Sequence, residues 1–342
     1  MQRILLIRLS AIGDIIFASP IIQALRQRYP EAHIAWLTEP ATRDLLLHHP
    51  GLDEVIVWPK AQWKSLWKTH QYKTLLRAKR HFSADLKAHQ FDTVIDMQGL
   101  LKSGIWARLS RAPERIGLGS REGSQHLMTR VIDKAGDAEM IGSEYRHLAN
   151  ELGLDTTTFP MLIQPDQSAV LFAESMISDH RLDHGFAIIC PFTTRPQKHW
   201  FDDAWQALIP QLQTELSLPV VMLGGPGDIK AAASIAGDLP IIDLTGKTTL
   251  LQAAAIISKA SLLIGVDTGL THLGTAWERP TVCLFGSTRP YLKTDSPRTE
   301  VIYHHLECSP CRRKPSCGGA FTCLREITPD EVLATARKVL QA

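Results

Sequence analysis

No stretch of this 342-residue chain reaches the ~18 consecutive apolar residues that a membrane-spanning helix needs. The chain also lacks a dominant charge. Its 37 Lys and Arg stand against 35 Asp and Glu, a net +2, which excludes a polyelectrolyte built to coat nucleic acid. Hydrophobic residues are 44% and charged residues 21%, so disorder, collagen and coiled coil are excluded as global descriptions. The start, Met1 to Pro20, is apolar but broken by Arg3, Arg8 and Asp14. It reads as a buried strand and a helix rather than a signal peptide. The glycine turn at 224–228 has neither the spacing of a dinucleotide fingerprint nor the lysine of a P-loop. No Asp-x-Asp pair occurs.

Cysteines are few, and their placement divides them. Cys190 and Cys283 lie inside apolar runs and read as small buried hydrophobes. Cys308, Cys311, Cys317 and Cys323 follow the pattern C-x2-C-x5-C-x5-C. Four thiolates so crowded can satisfy tetrahedral zinc or iron, or can form a reduced cysteine-rich loop. Arg312, Arg313 and Lys314 add an anion-seeking charge to that loop.

At roughly 100–200 residues per domain, the length corresponds to two domains. Short apolar runs alternate with helical patterns at 4–9, 33–38, 54–59 and 92–98, then again at 186–192, 219–225, 261–267 and 281–286. Such alternation implies βαβ units and a parallel sheet. The fold class is therefore α/β, with two doubly wound Rossmann-like domains facing each other across a cleft. The first spans 1–165 and the second 166–328. The closing helix, 329–342, is expected to return to the first domain.

Ligands in such sheets bind beyond the carboxyl ends of the strands, so the loops there were read for chemistry. Ser10-Ala11-Ile12-Gly13-Asp14 puts a carboxylate at a helix start, either as a dipole-stabilised cap or as a general base. Thr193, Thr194, Arg195 and Lys198 gather hydroxyls and cations suited to a diphosphate. Asp267, Thr268, Gly269 and His272 combine a carboxylate for sugar hydroxyls with amides at a helix start. His272 reads equally as a core histidine. Gly224, Gly225 and Asp228 either admit a ribose or form a capped turn.

Between the third and fourth strands, residues 58–90 hold eight lysines and arginines against Asp85 alone. Lys60, Lys64, Arg77 and Arg80 are among them, with Trp58, Trp63 and Trp67 interleaved. That one-sided patch suits an anionic membrane surface. Single-stranded nucleic acid competes as a partner, but no RNA-binding signature accompanies the patch.

R-L-S-A-I-G-D at 8–14, D-M-Q-G-L-L-K-S at 96–103, T-T-R-P-Q-K-H-W at 193–200 and V-D-T-G-L-T-H-L at 266–273 occur in one order along the chain. Together they resemble glycosyltransferase family 9, the lipopolysaccharide heptosyltransferases. The resemblance implies a GT-B fold and inverting transfer of L-glycero-D-manno-heptose from ADP-heptose to the Kdo/heptose inner core, with no cofactor required for catalysis. It implies Asp14 as catalytic base. Thr193, Thr194 and Lys198 would hold the donor phosphates, Asp267 the heptose, and Thr268 and Gly269 the turn against the diphosphate. Asp228 stands where related enzymes place a glutamate on the ribose. Gln98 and Lys102 fall in the acceptor motif, and Lys60, Lys64, Arg77 and Arg80 where Kdo–lipid A gathers. The second and third motifs are similar to type I enzymes, the cysteine segment to types II and III. The implied setting is the inner face of the cytoplasmic membrane of a Gram-negative bacterium. A family 9 enzyme with another acceptor, and a nucleotide-sugar-binding protein without transfer activity, are the alternatives.

Overall fold

A computed structural model describes residues 1–311 and 314–342. Arg312 and Arg313, read above as part of the basic cysteine loop, lie outside the described residues. The chain divides into two compact units, one of 1–138 with 142–164 and one of 139–141 with 165–342.

The first unit is built on six strands: β1 Arg3–Ile7, β2 His33–Thr38, β3 Glu54–Val57, β4 Thr93–Asp96, β5 Glu114–Leu118 and β6 Arg130–Ile132. They pair in the order β3-β2-β1-β4-β5-β6, all parallel. β1 sits at the centre, with Leu5 opposite both Ala35 and Val94. Helices cover both faces of such a sheet, so its inner strands carry unbroken apolar runs. Ile4, Leu5, Leu6 and Ile7 are all fully buried. The helical pattern after β1 splits into Ile12–Ala18 and Pro20–Arg28. Pro20 cannot donate a backbone hydrogen bond and is suited to the first position of a new helix.

The second unit repeats the plan with β7 Ala187–Cys190, β8 Val220–Met222, β9 Ile242–Asp243, β10 Leu262–Val266, β11 Thr281–Phe285 and β12 Thr299–Tyr303. Their order is β12-β11-β10-β7-β8-β9. Counted within the unit, this is again 3-2-1-4-5-6 read from the other edge. Each sheet therefore has a point where the strand order reverses, between β1 and β4 and between β7 and β10. The loops leaving those strand ends diverge and open a crevice.

The closing helix corrects one expectation. Pro329–Gln341 packs on the second unit, not the first. Its buried Val332, Leu333, Ala336 and Val339 join the core formed by Trp200, Trp205, Leu208 and Leu284. Trp200 secures the approach to that helix by donating from Nε1 to the carbonyl of Ile327 at 3.0 Å.

Candidate active site

In the first unit, the loops after β1 and β4 are tied together at the strand-order reversal. The Leu9 amide donates to Gln98 Oε1 at 3.0 Å. The Arg8 guanidinium donates to the Met97 carbonyl at 2.8 Å and pairs with Asp14 Oδ2 at 2.5 Å. Arg8 is buried while Asp14 keeps 38% side-chain exposure, so the carboxylate is the group that faces solvent. The Ala11 amide also donates to Oδ2, at 3.1 Å. Both contacts use the same oxygen, which leaves Oδ1 to accept from an incoming hydroxyl. Asp14 thus serves the start of its helix and remains partly exposed. Arg8 was not singled out from sequence, because a lone arginine in an apolar run gives no sign of its partner.

Asp96 anchors the second of these loops. It is fully buried and accepts from the Gln98 amide at 3.0 Å, the Gly99 amide at 3.2 Å and Ser103 Oγ at 2.9 Å. Burial outweighs those hydrogen bonds and the nearby Arg8, and lifts its carboxyl to about 6. A folded value above the unfolded one means that Asp96 contributes stability in full below about pH 4 and loses it as pH rises through about 6. Asp96→Asn keeps an acceptor for both amides. Its thermal midpoint should therefore gain on the parent by a few degrees between about pH 4.5 and 7.5. Parallel pH curves for the two proteins would exclude this account.

Of the acceptor-side residues, Lys60 and Lys102 converge on Glu39 Oε1, at 2.9 and 3.5 Å. Gln98 uses its carbonyl oxygen on the backbone, so it braces the loop. Lys64, Arg77 and Arg80 are exposed on the helices Lys60–Lys68 and Tyr72–Ala88 and make no ion pair among the described residues. The tryptophans divide. Trp63 is buried, and Trp58 packs edge-on against it and Trp106. Trp67 alone of the three is exposed, with Tyr72 and Leu76 beside it in sequence also exposed.

In the second unit, the loops after β7 and β10 meet on Asp267. Lys198 Nζ lies 2.5 Å from Asp267 Oδ2 and donates to the Asp267 carbonyl at 3.0 Å. His272 Nε2 is 3.3 Å from Oδ1. Thr193 Oγ1 donates to the Asp267 carbonyl at 3.5 Å. Burial alone would raise the Asp267 carboxyl, but His272 and Lys198 outweigh it and hold it well below the usual carboxylate range. His272 is buried and is part of the cluster. Thr268 begins the helix Gly269–Ala276 without a side-chain cap, so the first amides of that helix remain for an anion. Gly265 is required beneath this turn, because a Cβ there would stand 2.1 Å from Thr271 Oγ1. Thr194 is exposed. Asp228 accepts from the Gly225 amide at 2.8 Å, so in this structure it caps its own turn.

Two residues escaped the sequence reading. Thr288 Oγ1 donates to Asp267 Oδ2 at 2.5 Å, and Tyr291 Oη lies 3.0 Å from His272 Nδ1. Both follow β11. The strand-end rule applied to T-V-C-L-F-G would have drawn attention to them.

The cysteine segment, read as a zinc or iron site or as a reduced loop, is described without its two arginines. Cys308, Cys311, Cys317 and Cys323 are free thiols, and among the described residues no three His, Cys, Asp or Glu are arranged to hold a metal ion. Cys323 is buried at the start of a short helix, packed where a Cβ on Gly286 would meet its sulfur at 2.9 Å. The others are only half-buried. Burial and the neighbouring thiols of the segment together raise Cys311 and Cys323 above the ordinary thiol value, so the four sulfurs lie within electrostatic reach of one another.

A family model described as glycosyltransferase family 9 (heptosyltransferase) matches residues 79–320, a span that includes both loops on Asp267. The chain belongs to glycosyltransferase family 9. This family 9 glycosyltransferase is 25% identical over 300 residues to lipopolysaccharide heptosyltransferase 1 of Escherichia coli K12, covering 85% of the chain and 90% of that protein. Relatives named lipopolysaccharide heptosyltransferase 2 and 3 match as well. Among solved structures, a family 9 glycosyltransferase from Veillonella parvula superposes with a TM-score of 0.81 at 22% identity, covering 99% of this chain and 97% of that one. Escherichia coli heptosyltransferase WaaC, solved with ADP-2-deoxy-2-fluoro heptose, gives 0.75 at 24% identity and covers 98% and 99%. The fold is GT-B, as the resemblance to glycosyltransferase family 9 implied.

Proposed function

We propose that this enzyme transfers L-glycero-D-manno-heptose from ADP-heptose to the inner core of lipopolysaccharide, with inversion. The observation that carries the reading is the placement of complementary chemistry at the two strand-order reversals. One holds a half-exposed carboxylate, the other a cluster of cation, hydroxyls and helix amides. Lys198, Thr193, Thr194 and the amides of Thr268 and Gly269 hold the diphosphate. Asp267 accepts from the heptose hydroxyls, and Asp228 takes the ribose when its turn opens. Asp14 takes the proton of the acceptor hydroxyl as that oxygen bonds to the anomeric carbon. The bond from that carbon to the phosphate oxygen breaks, and ADP leaves with the electron pair. Lys198 and the helix amides stabilise the charge that develops on it.

The acceptor carries phosphates, which suit the exposed cations of residues 60–87. We place the enzyme on the cytoplasmic face of the inner membrane, with Gln98 and Lys102 bordering the acceptor site in the first unit. Incubation with ADP-heptose and a panel of truncated core acceptors ending in Kdo or heptose tests this. Mass spectrometry should record the gain of one heptose on one member of the panel, and that member defines the acceptor type. No mass gain on any member would leave a nucleotide-sugar binder or an enzyme with a different acceptor.

The basic helices give a separate expectation. Reversing charge at Lys64, Arg77 and Arg80 together should raise KM for the lipid acceptor at least ~10-fold, as three interactions of ~0.5–1 kcal/mol each predict. KM for ADP-heptose should stay within about twofold. Equal changes in both constants would show that the helices do not serve the acceptor.

A further inference from the structure

Behind the Asp267 cluster lies a chain of buried polar groups that the transfer reaction as described does not use. Tyr291 Oη lies 3.0 Å from His272 Nδ1 on one side and 3.4 Å from Cys283 Sγ on the other. His272 Nε2 then faces Asp267 Oδ1 at 3.3 Å. Tyr291, His272 and Cys283 are all buried. The tyrosine ring is held independently of its hydroxyl, edge-on to Phe285 at 5.2 Å and tilted against His272 at 5.6 Å.

The groups have a natural direction. Burial pushes the Cys283 thiol up to about 12 and raises the Tyr291 phenol well above its ordinary range, so both keep their protons at neutral pH. A protonated phenol can donate to an imidazole nitrogen, and a neutral imidazole that accepts at Nδ1 carries its proton on Nε2. That proton points at a carboxylate. Asp267 Oδ2 is meanwhile taken by Lys198 and Thr288.

We propose that Tyr291 is a positioning residue of the donor site, fixing His272 as the neutral Nε2–H tautomer so that His272 holds Asp267 Oδ1. Each carboxylate oxygen of Asp267 is then held from a different element, Oδ1 from the helix after β10 and Oδ2 from the loops after β7 and β11. The carboxylate plane is set before the sugar arrives. An aspartate left to rotate would have to be ordered by each incoming donor, and that ordering would weaken binding. The donor-site part of this inference rests on the proposed transfer reaction. The tautomer does not, because it belongs to the free protein.

The test uses full-length protein labelled with nitrogen-15 at histidine. The His272 signals are identified by their loss in His272→Gln. In the parent, Nε2 should appear as the protonated nitrogen and Nδ1 as the unprotonated one. In Tyr291→Phe, which keeps the ring, the two should move toward a mixture of tautomers. KM for ADP-heptose should rise about 5- to 10-fold, as the loss of one buried hydrogen bond predicts, while kcat stays within about twofold. A parent protein with the proton on Nδ1, or on both nitrogens, overturns the proposal, even where the variant does not fold. So does a folded Tyr291→Phe protein with unchanged signals and unchanged KM. If the tautomer shifts as expected but neither protein consumes ADP-heptose, the tautomer assignment stands and the transfer reading falls.

Discussion

Asp14→Asn lowers kcat for heptose transfer by about 10²- to 10⁴-fold, the range set by removing a general base. Asparagine can still accept the Ala11 amide through its side-chain oxygen, so the start of the helix Ile12–Ala18 is kept. It cannot take a proton from an attacking hydroxyl. KM for ADP-heptose should change little, because the donor cluster is built on the other unit. The substitution also leaves the buried Arg8 guanidinium without its ion partner. Removing one member of a fully buried pair costs about 3–5 kcal/mol. Asp14 is more than a third exposed, so solvent screens the pair and the loss should be well below that range. A thermal melt on the same preparation separates the effects. Normal turnover by a folded Asp14→Asn protein would remove Asp14 from the chemistry.

Lys198→Ala should reduce kcat/KM for ADP-heptose by about 10²- to 10³-fold, comparable to deleting one donor to a developing anion. Lys198 reaches the site from the loop after β7 and is mostly buried, so bulk cations cannot readily replace it. The variant also changes stability in a way that depends on pH. Asp267 has a folded value below its unfolded one, so its contribution is present above about pH 4 and is lost as pH falls further. Lys198 is one cause of that depression. The deficit of Lys198→Ala should therefore be largest near neutral pH and shrink on acidification. Denaturant midpoints at several pH values read it directly. A deficit that grows toward acid pH would mean that Lys198 does not hold Asp267 in the folded protein.

Much of the fold was legible because its central strands are apolar on both faces. I-L-L-I, A-I-I-C and L-L-I-G-V announce buried parallel strands wherever they occur. The strands that went unread are at or near the sheet edges. Glu114–Leu118, Arg130–Ile132 and Thr299–Tyr303 are short or mixed with charge, and each includes residues that are exposed or only partly buried. The Pro20 break was hidden because proline at a helix start leaves the apolar spacing intact. The closing helix was misplaced because its amphipathic stripe says that it packs, not on which sheet.

The candidate site was legible where a strand end, a turn and a polar cluster coincided, as at 193–198 and 267–272. It was not legible where the fold, rather than local spacing, sets the partner. Nothing in R-L-S-A-I-G-D says that Arg8 turns back to Asp14, and nothing in T-V-C-L-F-G-S-T says that Thr288 and Tyr291 complete a cluster started by Asp267. The Trp58–Gln90 stretch misled in the opposite sense, since two of its three tryptophans serve the core.

The shared strand order has a consequence for how such enzymes diversify. Asp14 and Asp267 hang from the hub of each sheet, where neighbouring strands on both sides fix the backbone. The two basic helices depart from β3, at the rim. Substitutions at the rim can alter this basic surface without disturbing the hub. The charge of the rim can thus change while the hub keeps its geometry.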